Sequence, residues 1–253
     1  MAESLLASVS NHFEWRYLQF RYRISSERIS RTIGSVESSF HVDTYREFLR
    51  VVDYQNEEFV IEALLDTIRS DDVLWDIGAN IGTHSCYIGQ KAGQTIAIEP
   101  FPDNAQRARE NCSLNDVDAT VCEYAVGAHE GEATLAVPDT DDNVVGVGTF
   151  SLQTDARNAQ SVDVDVVPGD QIIQNRGVAL PDVIKIDVEG GEADVLRGFD
   201  RGLQNARAVL VEVHPRYVDR DEITRLLESH GFSVSILRQR NDEVHVLATV
   251  DDR

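Results

Sequence analysis

In the run IKIDVEGGE, Lys185, Asp187 and Glu189 alternate with Ile184, Ile186 and Val188. A second apolar run, AVLVEVHP, closes with Glu212 and His214 alternating with Val211 and Val213. Such alternation puts the polar members of each run on one face, near its carboxyl end. A strand covered on both faces is ordinarily apolar throughout, so charges placed there must pair with one another or perform chemistry. Lysine occurs elsewhere only at Lys91, which sets Lys185 apart in a chain whose usual cation is arginine. Three readings fit. In the first, the cluster is a catalytic floor: His214, whose imidazole titrates near neutral pH, is the first candidate base. Asp187 and Glu189 are the alternatives, and Lys185 orients an acceptor or holds Asp187 and Glu212. In the second, the charges form a buried ion network that fixes sheet register. In the third, Asp187, Glu189, Glu212 and His214 bind magnesium or calcium.

A second candidate site lies in VLWDIGANIGTH, where an apolar run ends in Asp76 and leads through Gly78, Asn80 and Gly82 to Thr83. The glycines permit a tight turn and close approach of a ligand to the backbone. The spacing is G-x-x-x-G, not the G-x-G-x-x-G of a dinucleotide loop, and the Asp76 carboxylate would repel a pyrophosphate. S-adenosylmethionine removes that conflict: it has no phosphate, carries an ammonium and a sulfonium, and offers two ribose hydroxyls. Asp76 is expected to hold its cationic amino-acid end, directly or through water. Glu99, ending TIAIEP, is expected to accept from the ribose hydroxyls, although that acid alone would also suit NAD. Glu123 and Tyr124 fall where an adenine would lie.

These loops need a scaffold. Short apolar runs at 73–78, 95–100 and 120–126 alternate with helical segments near 83–92 and 103–114. The alternation resumes with 182–188, a helix at 192–199, a run at 208–215 and a helix at 219–230. This β-α-β order predicts a mostly parallel sheet with helices on both faces. The final runs, 233–240 and 243–250, are joined by a turn at Asn241-Asp242 too short for a crossover helix, so they are predicted to be antiparallel partners. Between the two halves, GEATLAVP, GTFSLQT and SVDVDVVP read as inserted hairpin strands around an acidic, glycine-rich loop at 139–148. Helical spacing over 43–69 precedes the sheet. The division expected is an amino-terminal extension, 1–70, packing on a main domain, 71–253.

The chain has 253 residues and a formal charge of −21. That balance disfavours general nucleic-acid binding, which needs a cationic face. An acidic, lysine-poor surface also resembles proteins of salt-loving cytoplasm, where screening relieves self-repulsion. Residues 1–50 depart from the rest, with seven arginines against six acids. The arginines interleave with Phe13, Trp15, Tyr17, Phe20 and Tyr22, as a helix packed on the main domain or as an arm that docks an anionic substrate or membrane surface. No run is apolar enough to span a membrane, and no apolar leader segment precedes the domain. Three cysteines without metal-like spacing suit a reducing cytoplasm.

The segments WDIGANIGTHS, IAIEPFPDN, VIKIDVEGGEADVLRG and VLVEVHP together resemble the FkbM-type methyltransferases of the class I S-adenosylmethionine-dependent superfamily. The resemblance covers about residues 40–250. It implies a Rossmann-like, doubly wound, mostly parallel seven-stranded sheet with a terminal antiparallel hairpin and an inserted β-hairpin region. It also implies an enzyme that methylates a hydroxyl of a sugar, glycan or small metabolite, without calling for a metal. A metal-assisted, catechol-type O-methyltransferase, a donor-binding protein without catalysis, and an oxidoreductase are the competing expectations. An N/D-P-P-Y/F motif of base N-methyltransferases is absent: Asp187-Val188-Glu189-Gly190 stands in its place.

Overall fold

The computed structural model describes residues 16–52, 57–137, 145, 160–240 and 243–250. The expected strand GTFSLQT, most of the loop at 139–148, the turn at Asn241-Asp242, and Phe13 and Trp15 lie outside them.

A helix, α1, covers residues 16–24. A hairpin follows, β1 (Arg28–Ile33) and β2 (Val36–His41), and then two helices, α2 (Tyr45–Val52) and α3 (Glu58–Thr67). The main sheet begins with β3 (Val73–Ile77), α4 (Thr83–Gly89), β4 (Gln94–Ile98), α5 (Pro102–Leu114) and β5 (Ala119–Cys122). An inserted sheet contains β6 (Ala125–Val126), β7 (Gly131–Val137) and β8 (Gln160–Val167). The chain then supplies α6 (Gly169–Arg176), β9 (Val183–Ile186), α7 (Glu192–Arg197), α8 (Asp200–Asn205), β10 (Ala208–Val213), α9 (Arg220–Ser229), β11 (Ser233–Gln239) and β12 (Val244–Thr249).

The main sheet has seven strands in the order β11-β12-β10-β9-β3-β4-β5, and the inserted sheet has the order β6-β8-β7. The β3, β4, β5, β9 and β10 pairings are parallel, while β12 runs antiparallel to both β10 and β11. The central strands β9 and β10 are buried along their whole length, as strands covered on both faces must be. Successive residues face opposite layers: Trp75 and Ile184 join one core, and Leu74 and Val183 the other. The second core also takes Ile33, Phe40, Phe48, Val51, Ile61 and Leu64. Side chains on both sides of residue 70 therefore share one apolar layer. β11, at the sheet edge, is mostly exposed and carries a bulge between Ile236 and Arg238, which hinders pairing with another chain.

Two expected strands end earlier than their alternation implied. The run 120–126 breaks at Glu123-Tyr124, where the chain passes from the main sheet to the inserted one. The run 182–188 ends at Ile186. Glu189 has φ 40° and Gly190 φ 101°, so Asp187 and Glu189 reach the site from a turn.

Candidate active site

The carboxyl ends of β3, β4 and β9 open into a cleft, the place where ligands bind in open α/β sheets. Its lining includes Gly78, Asn80, Glu99, Tyr124, Asp187 and Glu189, together with Arg50. The parallel order reverses between β3 and β9, so the cleft occupies the switch point of the sheet.

Gly78 adopts φ 79°, and a Cβ built there would lie 1.8 Å from the Asp187 carbonyl oxygen. No other residue fits: the first loop must pass against the last turn to leave the cleft open. Asn80, with φ 51°, donates its N–H to Glu99 Oε2 at 2.8 Å, and Phe101 N–H donates to Glu99 Oε1 at 2.9 Å. Burial pushes the Glu99 carboxyl up to about 7 against these hydrogen bonds. The Asn104 side chain is a third donor to this carboxylate, which leaves acceptor capacity for one more.

Beneath the cleft, Asp76 and Lys185 are register partners on adjacent strands. Lys185 Nζ lies 3.1 Å from Asp76 Oδ1 and 3.6 Å from Asp187 Oδ2, and donates to the Gly78 carbonyl at 3.0 Å. Ser85 donates to Asp76 Oδ2 through its N–H at 3.0 Å and its hydroxyl at 2.7 Å. Burial opposes both charges, but the pair prevails: Asp76 is held below the usual carboxylate range and Lys185 above the usual ammonium range. Asp76 is sealed from solvent; its Oδ2 accepts from Ser85, and among the described residues its Oδ1 is held by the Lys185 ion pair alone. Asp76 thus lies beneath the cleft rather than in its lining. Gly82 and Thr83 likewise stay off the cleft: Gly82 caps α4 at φ 81° and packs on Ala108, and Thr83 is buried in the first turn. Glu123 pairs with Arg109 at 2.7 Å and lies outside the cleft lining, while Tyr124 lines it and holds Arg176 near its ring.

At the far end, His214 Nδ1 lies 2.6 Å from Glu192 Oε1, and its Nε2 lies 3.5 Å from Glu189 Oε2 and 3.7 Å from Glu212 Oε1. Burial disfavours the imidazolium, yet the Glu192 hydrogen bond and the charges of Glu189 and Asp187 overcome it and raise His214 to about 9. A protonated imidazole has no lone pair to accept a proton, so this charge state suits His214 to holding its carboxylate neighbours. Glu189 is raised to about 7 by burial, with His214 lowering it and Asp187 and Glu212 raising it. It lines the cleft with a pKa suited to proton transfer at neutral pH. Glu212 pairs with His245 Nε2 at 3.2 Å, again across register partners, and burial and Asp187 push its carboxyl up. Ligand atoms of Asp187, Glu212 and His214 lie within 4.8 Å of one another. A cation shared there would require His214 to be neutral.

The structure thus gathers Gly78, Asn80, Glu99, Tyr124, Asp187 and Glu189 at the cleft, with Lys185, Glu212 and His214 immediately beneath or beside it. Glu192 and Arg50 were not anticipated. Glu192 reads in sequence as an ordinary first-turn helix acid, but it is fully buried against His214. Arg50 enters from α2, far away in sequence.

The methyltransferase FkbM domain profile matches residues 76–234. A hexuronic acid methyltransferase of Haloferax volcanii is 33% identical over 215 residues, covering 85% of this chain and 86% of its own. The 31-O-demethyl-FK506 methyltransferase of Streptomyces tacrolimicus is 31% identical over 194 residues, covering 66% and 75%. Among solved structures, a methyltransferase FkbM from Methylobacillus flagellatus aligns with TM-score 0.53 and 17% identity over 81% of this chain and 53% of its own.

Proposed function

The chain belongs to the methyltransferase FkbM family, and from that premise we propose that it moves a methyl group from S-adenosylmethionine to a sugar or glycan hydroxyl, with Glu189 as the base. O-methylation of sugars or small molecules is the activity of the family. The sugar class draws support from the Haloferax relative.

The observation that carries the reading is the distribution of two carboxylates in one cleft. Glu99, fixed by the Asn80 and Phe101 N–H groups, is suited to ribose hydroxyls. Glu189, at the Asp187 end of the same cleft, is suited to a hydroxyl proton. The Gly78–Asn80 turn, which borders the cleft between the Glu99 and Asp187 ends, is the part of the wall beside the donor's amino-acid end. When bound, the donor supplies an electrophilic methyl on a sulfonium. The chain's own contribution is then positional and acid–base. The Lys185–Gly78 hydrogen bond fixes the loop, and Tyr124 borders the adenine end. Glu189 Oε accepts the acceptor's hydroxyl proton. Protonated His214, clamped by Glu192, holds Glu189 in place and stabilises its carboxylate until acceptor arrives. Metal assistance through Asp187, Glu212 and His214 is the second reading, supported by their mutual proximity. Suppression of turnover by chelator and its restoration by magnesium would favour it.

The donor half is tested by calorimetry with S-adenosylhomocysteine. Glu99→Ala should lose about 1.5–3 kcal/mol of binding, the value of hydrogen bonds to a charged acceptor. Unchanged affinity in a folded variant would mean the donor lies elsewhere.

A further inference from the structure

The terminal hairpin brings a second set of metal-ligating groups to the carboxyl end of β10. Glu243 and His245 alternate around Val244, which directs both side chains to one face. His245 is the register partner of Glu212 on β10, so the Glu212 carboxyl joins them there. Ligand atoms of Glu212, Glu243 and His245 lie within 4.8 Å of one another. Glu212 is 8% exposed and His245 1%. Asp187 and Glu57 add like charge around Glu212, and Glu57 Oε2 is buried without a hydrogen-bond partner among the described residues.

The state of His245 is an independent sign of a ligand. Its imidazole stands edge-on to Phe59, with ring centroids 4.9 Å apart. Neither ring nitrogen makes a hydrogen bond among the described residues, although Nε2 lies 3.2 Å from Glu212 Oε2. Buried polar groups are almost always satisfied, and an orphan points to a water or an ion. Two ligands about 2.1 Å from one zinc stand about 3.4 Å apart in a tetrahedron. The Nε2–Oε2 separation therefore suits two ligands of one cation, where the alignment fails a hydrogen bond. An imidazole beside two carboxylates favours zinc over magnesium or calcium, which prefer oxygen alone. We propose that Glu212, Glu243 and His245 form a zinc site that holds the start of β12 against the end of β10. The three side chains leave a fourth position for water. Glu212 is shared with the Asp187–Glu212–His214 group, but here the imidazole and the second carboxylate both come from the terminal hairpin.

The test reads metal binding by the full chain, so its failure is separate from any failure of methyl transfer. Protein stripped of metal by chelator is titrated with zinc by calorimetry, and melting curves are recorded with and without zinc. The chains compared are wild type, Glu243→Gln, His245→Gln and His214→Gln. Glu243 is only partly buried, so Glu243→Gln keeps the test decisive even where His245→Gln fails to fold. Wild type should take up one zinc and melt at a higher temperature with it. Glu243→Gln should weaken zinc by more than about 10-fold, since loss of a group that merely supports a ligand already costs about 10–100-fold. It should also lose the melting shift, while His214→Gln binds zinc as wild type does. A wild type that takes up no zinc overturns the proposal and leaves His245 to a buried water. So does a Glu243→Gln variant with unchanged affinity, because the cation would then lie elsewhere. Equal weakening in His214→Gln overturns it too, by moving the cation to the Asp187–Glu212–His214 group.

Discussion

Two groups of charges lie at the carboxyl ends of β3, β4 and β9. In the sealed group, Lys185, Asp76 and Ser85 satisfy one another and the Gly78 carbonyl, away from solvent. In the open group, Glu99 and Glu189 line the cleft and are both raised to about 7. The residue types are similar, but their partners differ. A carboxylate with a buried ammonium beside it is locked in its charge state and can only support. A carboxylate desolvated without an equal counter-charge stays close to the point where its proton moves. Proximity to a ligand loop is therefore a poor guide to role, and the balance of burial against partner charge is a better one.

The sharpest way to break this contrast is Glu189→Gln. Turnover, followed as labelled methyl transferred to a glycan extract, should fall about 10²–10⁴-fold, the usual loss on removing a general base, with S-adenosylhomocysteine affinity unchanged. Full activity in a folded variant would end the assignment of Glu189. Lys185→Ala probes the other side of the contrast. It leaves Asp76 buried without its partner and should cost about 3–5 kcal/mol of stability, read from denaturant unfolding. A Lys185→Met, Asp76→Leu double variant should recover part of that loss. If Lys185→Ala instead kept its stability and lost its chemistry, the two groups would have exchanged roles.

The smallest effect is in pH dependence. His214 is raised from 6.5 to about 9 in the folded chain, so the stability it contributes is fully present below about pH 6.5 and is lost as pH rises through about 9. Melting temperature should decline across that window in wild type, and more shallowly in His214→Gln. Parallel declines would show that the Glu192–His214 clamp adds nothing.

The parallel sheet, its terminal hairpin and most of the cleft were legible from alternation and turn spacing, because those signals depend on neighbours in sequence. The departures have a common cause. The polar alternation of IKIDVEG runs on past Ile186 as a pattern although the strand has ended, and only Gly190-Gly191 marked the turn. The G-x-x-x-G loop suggests a ligand contact for Asp76 but is silent on its buried partner. The rival claim on it comes from Lys185, its register partner on a strand over one hundred positions away. Arg50 and Glu192 acquire their positions only through tertiary packing, which no local spacing encodes.

The position of β12 has a consequence for the order of assembly. Although it is the last strand of the sheet in sequence, it lies between β10 and β11 and brings His245 against Glu212. Until residues 244–249 insert, β10 presents an unpaired edge and β11 has no ladder to join. Without β12, the donor loop, Glu99 and Glu189 sit on a sheet that stops at β10, the kind of exposed edge that invites aggregation. Completion of the sheet and formation of the Glu212–His245 pair both depend on the same six residues, 244–249.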